Sequence, residues 1–191
     1  MIAITGKPCT GKTYFLNLVQ KLGYTIFNGD DFVLNLYKDI SFVHFLKETK
    51  FNFLIEHEKV SKEKIRQIVI NDYKLFDEFQ AIVHKRVYQH LNKNKYDFIE
   101  IAALHSLHSN FIKFVTKIIF LHTDEKTRLE NCRKRNVSDK QMKILDTLFN
   151  DHYTNKNNYQ NIQIIQLNLK DINTLKDIKK ILKYNVFNSK K

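Results

Sequence analysis

Gly6-Lys7-Pro8-Cys9-Thr10-Gly11-Lys12-Thr13 fits the pattern G-x-x-x-x-G-K-[ST], and its residue types are those a polyphosphate needs. Successive backbone N–H groups of such a loop turn inward as an anion-binding nest. Lys12 is placed to reach the β- and γ-phosphates of a nucleoside triphosphate, and the Thr13 hydroxyl is a hard oxygen suited to Mg²⁺. The chain has four Gly and one Pro, and the loop holds two of those glycines and the proline. A chain so poor in permissive residues has placed them where backbone approaches a ligand closely.

Other side chains extend the site. Asn28-Gly29-Asp30-Asp31 follows an apolar run, and ligands of an open parallel sheet bind beyond the carboxyl ends of its strands. Asp30 is therefore a candidate to accept or orient the proton of an attacking hydroxyl; a helix-capping turn, for which Asp31 alone would serve, is the other reading. Glu100 stands in the apolar run Phe98-Ile99-Glu100-Ile101, where a charge is costly unless partnered; it is a candidate for the Mg²⁺ shell or the attacking group. Arg128, Arg133 and Arg135 are three of the five arginines, and arginine's fork matches phosphate oxygens. At least one of them is expected to be a plain structural residue, and Arg135, at the entrance to the polar segment after Asn136, is the catalytic candidate. His84 is as compatible with a structural role as with a ligand contact. His105 and His108 lack the further ligands zinc requires.

These residues need elements to carry them. Short β-branched or aromatic runs predict strands at 1–5, 24–27, 97–101, 117–122 and 162–167, and helical spacing predicts helices at 12–22, 74–93, 107–114, 124–135, 138–156 and 171–184. Alternation of the two predicts a parallel α/β sheet; with the phosphate loop at its first turn, the expected fold is of the P-loop NTPase type, five parallel strands flanked by helices. Residues 1–191 are expected to form one domain with a helical insertion at 32–94 and a short lid at 135–150 that would exclude water from the transfer.

The net charge is +12, but 27 of the 32 basic residues are Lys, scattered through every segment. That spread resembles AT-rich codon usage more than a binding stripe, so nucleic acid is not the expected partner. No apolar run reaches the length of a membrane span. The chain opens on a strand with no signal peptide expected. Two cysteines are too few for a disulfide framework or a zinc site; Cys9 reads as a space-filler, and both thiols suit a reducing, cytoplasmic setting.

Four blocks, in order, resemble the bacterial dephospho-coenzyme A kinases: the loop itself; Gly23 to Asp30; Ile65 to Asp72 followed by Leu75 to His84; and Arg128-Leu129 to Arg135-Asn136. The departures are Asn28 where the family's first aspartate stands, Glu100 to Ser106 in place of its Asp-x-Pro block, and Lys85 in place of a proline. A divergent member, mollicute-like in composition, fits them. The resemblance implies a kinase that transfers the γ-phosphoryl of ATP, with Mg²⁺, to the ribose 3′-hydroxyl of dephospho-CoA, the last step of coenzyme A biosynthesis. It implies that Lys12, Asp30 and Arg135 carry the chemistry, and that Asp30, Phe76, Phe79, His84 and Glu100 meet the acceptor. ATP and dephospho-CoA are the implied partners, and a monomer is expected. A nucleoside or nucleotide kinase of the same fold, a nucleic-acid-stimulated P-loop ATPase and a regulatory P-loop protein without catalysis are the alternative readings.

Overall fold

A computed structural model describes residues 1–101, 104, 106–138, 141–143, 146–147, 162–172 and 174–187. The chain forms two compact units. The first comprises Met1–Phe27, Lys95–His105 and Phe111–Lys191; the second comprises Asn28–Asn94 and Ser106–Asn110. The stretch read as an insertion is thus a unit of its own, which starts earlier than residue 32 and recruits five residues from beyond Glu100.

The first unit is built on strands β1 (Ile2–Thr5), β2 (Ile26–Asn28), β5 (Phe98–Glu100), β6 (Lys117–His122) and β7 (Gln163–Asn168). Their order across the sheet is β2-β5-β1-β6-β7, and β1 runs parallel to both β5 and β6. All four residues of β1 are buried, as expected of a central parallel strand covered on both faces. Helix α1 (Lys12–Lys21) packs Phe15, Leu16, Leu18 and Val19 into the same core as Ile4, Phe98, Ile119 and Leu121. Helix α6 (Glu125–Lys134) follows β6, and α7 (Leu175–Ile181) brings Ile178 to the core.

The second unit holds α2 (Gly29–Leu36), α3 (Ile40–Lys47), α4 (Lys62–Asn71) and α5 (Tyr73–Lys93), with a two-stranded antiparallel ladder of β3 (Ile55–Glu56) and β4 (Lys59–Val60). The turn between them, His57-Glu58, has both residues at positive φ, 47° and 56°, as a type I′ hairpin turn demands. Phe42, Leu46, Phe51, Leu54 and Phe79 form its core. Among the described residues, no helix is long and apolar enough to cross a membrane.

The five expected strands are all present, within about two residues of their expected bounds. Residues 107–114, expected to be a helix, hold only a 3-10 turn at Phe111–Phe114. Much of the expected helix at 138–156, and residues 139–140, 144–145 and 148–150 of the expected lid, lie outside the described residues.

Candidate active site

Helix capping singles out the phosphate loop. Helices α2 to α7 each have a capping side chain at the N-terminus: Asn28, Asp39, Ser61, Asp72, Asp124 and Thr174 in turn. Helix α1 has none; its N-cap is Gly11, left-handed at φ 89°, and its first turn has no acidic residue. A helix N-terminus leaves several N–H groups without intrahelical partners and carries a partial positive charge. Such an end, with no side-chain cap, is suited to an anion, and it directly follows the loop Gly6–Thr13.

The loop's shape is fixed by close approach. Gly6 sits at φ 147°, and a Cβ there would lie 2.2 Å from the Leu121 carbonyl oxygen of neighbouring β6. A Cβ on Gly11 would lie 2.5 Å from Leu169 Cδ2. Lys12 folds back over the loop, and its Nζ donates to the carbonyls of Gly6 at 2.9 Å and Lys7 at 3.2 Å. The Thr10 hydroxyl donates to the Lys7 carbonyl at 2.8 Å. Gly6→Ala is expected to weaken ADP binding by about tenfold or more, because backbone and not a pliable side chain must move. Titration calorimetry with ADP and Mg²⁺ checks this, and unchanged affinity would contradict it.

A cavity of about 490 Å³ opens beside the loop. Cys9, Gly11 and Tyr14 line it from the loop and α1; Thr127, Asn131 and Arg135 line it from α6 and its end; Leu169, Lys170 and Ile172 come from the turn after β7. An aromatic ring, two apolar side chains and several polar groups next to a phosphate nest suit the base and sugar of a nucleotide. Thr123 also lines this cavity, and among the described residues its buried hydroxyl has no hydrogen-bond partner.

The arginine cluster divides by role. Arg128 is 2% exposed and makes paired bonds to Glu125, at 3.0 and 2.8 Å, and to Asp146, at 2.9 and 2.7 Å. Both carboxylates hold its guanidinium firmly charged, so it is the structural member of the three. Arg135 is exposed, ends α6 and lines the cavity. Arg128→Ala is expected to lower unfolding stability by about 3 kcal/mol, since Asp146 loses its buried counter-charge. Arg135→Ala is expected to leave the urea midpoint in place and weaken nucleotide binding. Equal effects of the two substitutions on the midpoint would refute the division.

Glu100 ends β5, half-buried. It directly follows Ile99, which pairs with Ala3 of β1, the strand that enters the loop. The exposed Thr13 hydroxyl lies in the first turn of α1 beside Lys12. No group of three or more His, Cys, Asp or Glu side chains suited to a metal occurs among the described residues. A hydroxyl such as that of Thr13 and a carboxylate such as that of Glu100 are the kinds of oxygen donor taken by a hard cation that completes its shell with water and phosphate, as Mg²⁺ does.

The remaining expected residues belong to the second unit. Asp30 and Asp31 lie in the first turn of α2, and the cap there is Asn28, whose Oδ1 accepts from the N–H groups of Asp30 at 2.9 Å and Asp31 at 3.1 Å. The capping job read for Asp31 is thus done by Asn28, and the Asp30 carboxylate is exposed. Phe79, expected at the acceptor, is 1% exposed and packs against Tyr37 and Phe51; it is a core residue with no surface for a ligand. Phe76 is half-buried against the same core. His84 Nδ1 lies 2.7 Å from the Ser106 hydroxyl, and burial, then the nearness of His108, lowers the pKa of His84. His108 Nε2 lies 2.8 Å from Asp77 Oδ1, a pairing that serves the fold and not a metal. His105 lies outside the described residues.

Sequence reasoning missed one pairing altogether. Cys9 and Cys132, read as separate thiols, are joined by a disulfide across 123 residues of chain. It missed Asn131, Leu169 and Lys170 for the same reason: only the fold brings the turn after β7 and the end of α6 to the loop.

No family model matches the chain. A dephospho-CoA kinase from Wolbachia pipientis is 21% identical over 154 residues, which are 76% of this chain and 78% of that protein. One from Bartonella henselae is 29% identical over 102 residues, 53% of this chain and 50% of that protein. The crystal structure of TT1252 from Thermus thermophilus superposes with a TM-score of 0.69 at 15% identity, covering 100% of this chain and 97% of that one. The dephospho-CoA kinase from Campylobacter jejuni superposes with a TM-score of 0.57 at 14% identity, covering 97% and 96%. With the loop, its uncapped helix and the five-stranded parallel sheet, the structural likenesses show the P-loop kinase fold, and the curated proteins to which the chain is similar are dephospho-CoA kinases.

Proposed function

We propose that this chain is a dephospho-CoA kinase, which transfers the γ-phosphoryl of ATP to the ribose 3′-hydroxyl of dephospho-CoA. The observation that carries the reading is the phosphate loop and its cavity, with Arg135 at the rim, in a chain whose curated relatives bear that name. The loop N–H groups and the N-terminus of α1 hold the β- and γ-phosphates. Lys12 leaves its carbonyl partners to follow the charge that builds on the transferring group, and Arg135 offsets that charge from the cavity side. Thr13, with Glu100, would hold Mg²⁺, which would supply positive charge to offset that of the phosphates when bound. Asp30 accepts the proton of the acceptor hydroxyl or orients it. His84, neutral because it is buried, and Phe76 contribute to acceptor binding.

The reading is tested by ADP release with ATP, Mg²⁺ and a panel of acceptors: dephospho-CoA, nucleosides, nucleotides and RNA. The expected result is release that depends on dephospho-CoA. A nucleoside or nucleotide giving the larger signal would move the chain to another kinase of this fold, and stimulation by RNA alone would make it an ATPase.

A further inference from the structure

Cys9 is the one residue of the phosphate loop other than glycine with positive φ, at 65°. A side chain in the left-handed region is strained and persists only where its surroundings hold it. Two neighbouring residues of α6 do so. Cys132 is bonded to the Cys9 sulfur, with the two Cα atoms 5.4 Å apart. Asn131 Nδ2 donates to the Cys9 carbonyl at 3.2 Å. Met142, Leu129 and Val137 pack round the sulfurs, and Cys9 and Cys132 are 6% and 1% exposed. Helix α6 is itself a firm anchor, because Asp124 caps its start and Arg128 ties it to Asp146.

We propose that Cys132 is a positioning residue for nucleotide binding: through its bond to Cys9 it holds the loop in the left-handed turn that aims the neighbouring N–H groups at phosphate. The loop's grip on nucleotide then depends on the oxidation state of the pair. The bond forms by two thiol–disulfide exchanges with a low-molecular-weight disulfide. One cysteine thiolate attacks it and expels a first thiolate, leaving a mixed disulfide. The other cysteine then displaces a second. The protein loses two hydrogens in all, and the reagent leaves as two thiols. Cys9 lines the cavity, which gives such a reagent its path, and bound nucleotide should block it. In the dithiol state Cys9 relaxes away from positive φ and its part of the nest opens. The inference rests on the proposed nucleotide site and not on the identity of the acceptor.

The test compares wild-type protein oxidised with glutathione disulfide and reduced with dithiothreitol. Thiol content is confirmed by intact mass, and ADP with Mg²⁺ is titrated by calorimetry. The oxidised form should bind ADP about five- to tenfold more tightly. Cys132→Ala should bind weakly under both conditions. The double variant Cys9→Gly with Cys132→Ala should regain affinity, because glycine adopts positive φ without strain. A merely structural bond would move the thermal midpoint and leave the ADP Kd alone. Equal affinity in the two states, or thiols that survive glutathione disulfide, would overturn the inference even if Cys132→Ala fails to fold. Absence of ADP binding in both states would instead sink the nucleotide-site reading itself.

Discussion

Lys12→Ala is expected to lower kcat about 10²–10³-fold while the protein stays folded, an effect the size of removing one preorganised donor from a charged transition state. The Lys12 ammonium is held over the loop by the carbonyls of Gly6 and Lys7, at 2.9 and 3.2 Å. The Lys7 carbonyl keeps the Thr10 hydroxyl and N–H as donors, whereas Gly6 is buried, so the loss of its bond costs the fold about 1–3 kcal/mol, less than complete unfolding requires. The charge itself has no substitute inside the loop: α1 offers partial charges from its N–H groups, and Lys7 is a neighbour outside the motif's lysine position. The loss should therefore appear mainly in turnover and less in the thermal midpoint. Steady-state ADP release beside a thermal melt checks both. Near-normal turnover in a folded Lys12→Ala protein would remove the loop from the chemistry.

Asp30→Asn is the second large effect, with kcat falling about 10²–10⁴-fold at unchanged ADP affinity. The substitution is nearly isosteric, and the local structure does not need the carboxylate. Asn28 caps α2 through the Asp30 and Asp31 N–H groups, and Asp31 remains to complement the helix N-terminus. The stability change should stay at about a few tenths of a kcal/mol. Loss of turnover therefore reports on the carboxylate as proton acceptor. Unchanged transfer would leave Asp30 as one more acidic residue in a first turn.

What the sequence made legible was whatever local chemistry decides. The run Lys117–His122 is a buried strand by composition alone, and the loop carries its own spacing rule. The place of Arg135 at the end of a polar helix was legible, and the fold sets that end against the cavity. Phe79 was misjudged because an aromatic on a helix has the same sequence whether it faces a ligand or a core; its neighbours Tyr37 and Phe51 come from far away in the chain. The ladder at Ile55–Val60 was hidden by strands of two residues each and by a turn with no glycine. The turn after β7 reaches the loop only because β7 lies beside β6, and β6 beside β1. The link between Cys9 and Cys132 depends on the same topology, since α6 follows β6 and β6 lies beside the strand that enters the loop.

The most direct test follows the label. The protein is incubated with ATP labelled in the γ-phosphate, Mg²⁺ and dephospho-CoA, and the labelled product is identified by chromatography and NMR. Label is expected in coenzyme A as a 3′-phosphate, and Lys12→Ala is expected to slow its appearance about 10²–10³-fold. Label found only in inorganic phosphate, or on a nucleoside offered in competition, would contradict transfer to dephospho-CoA.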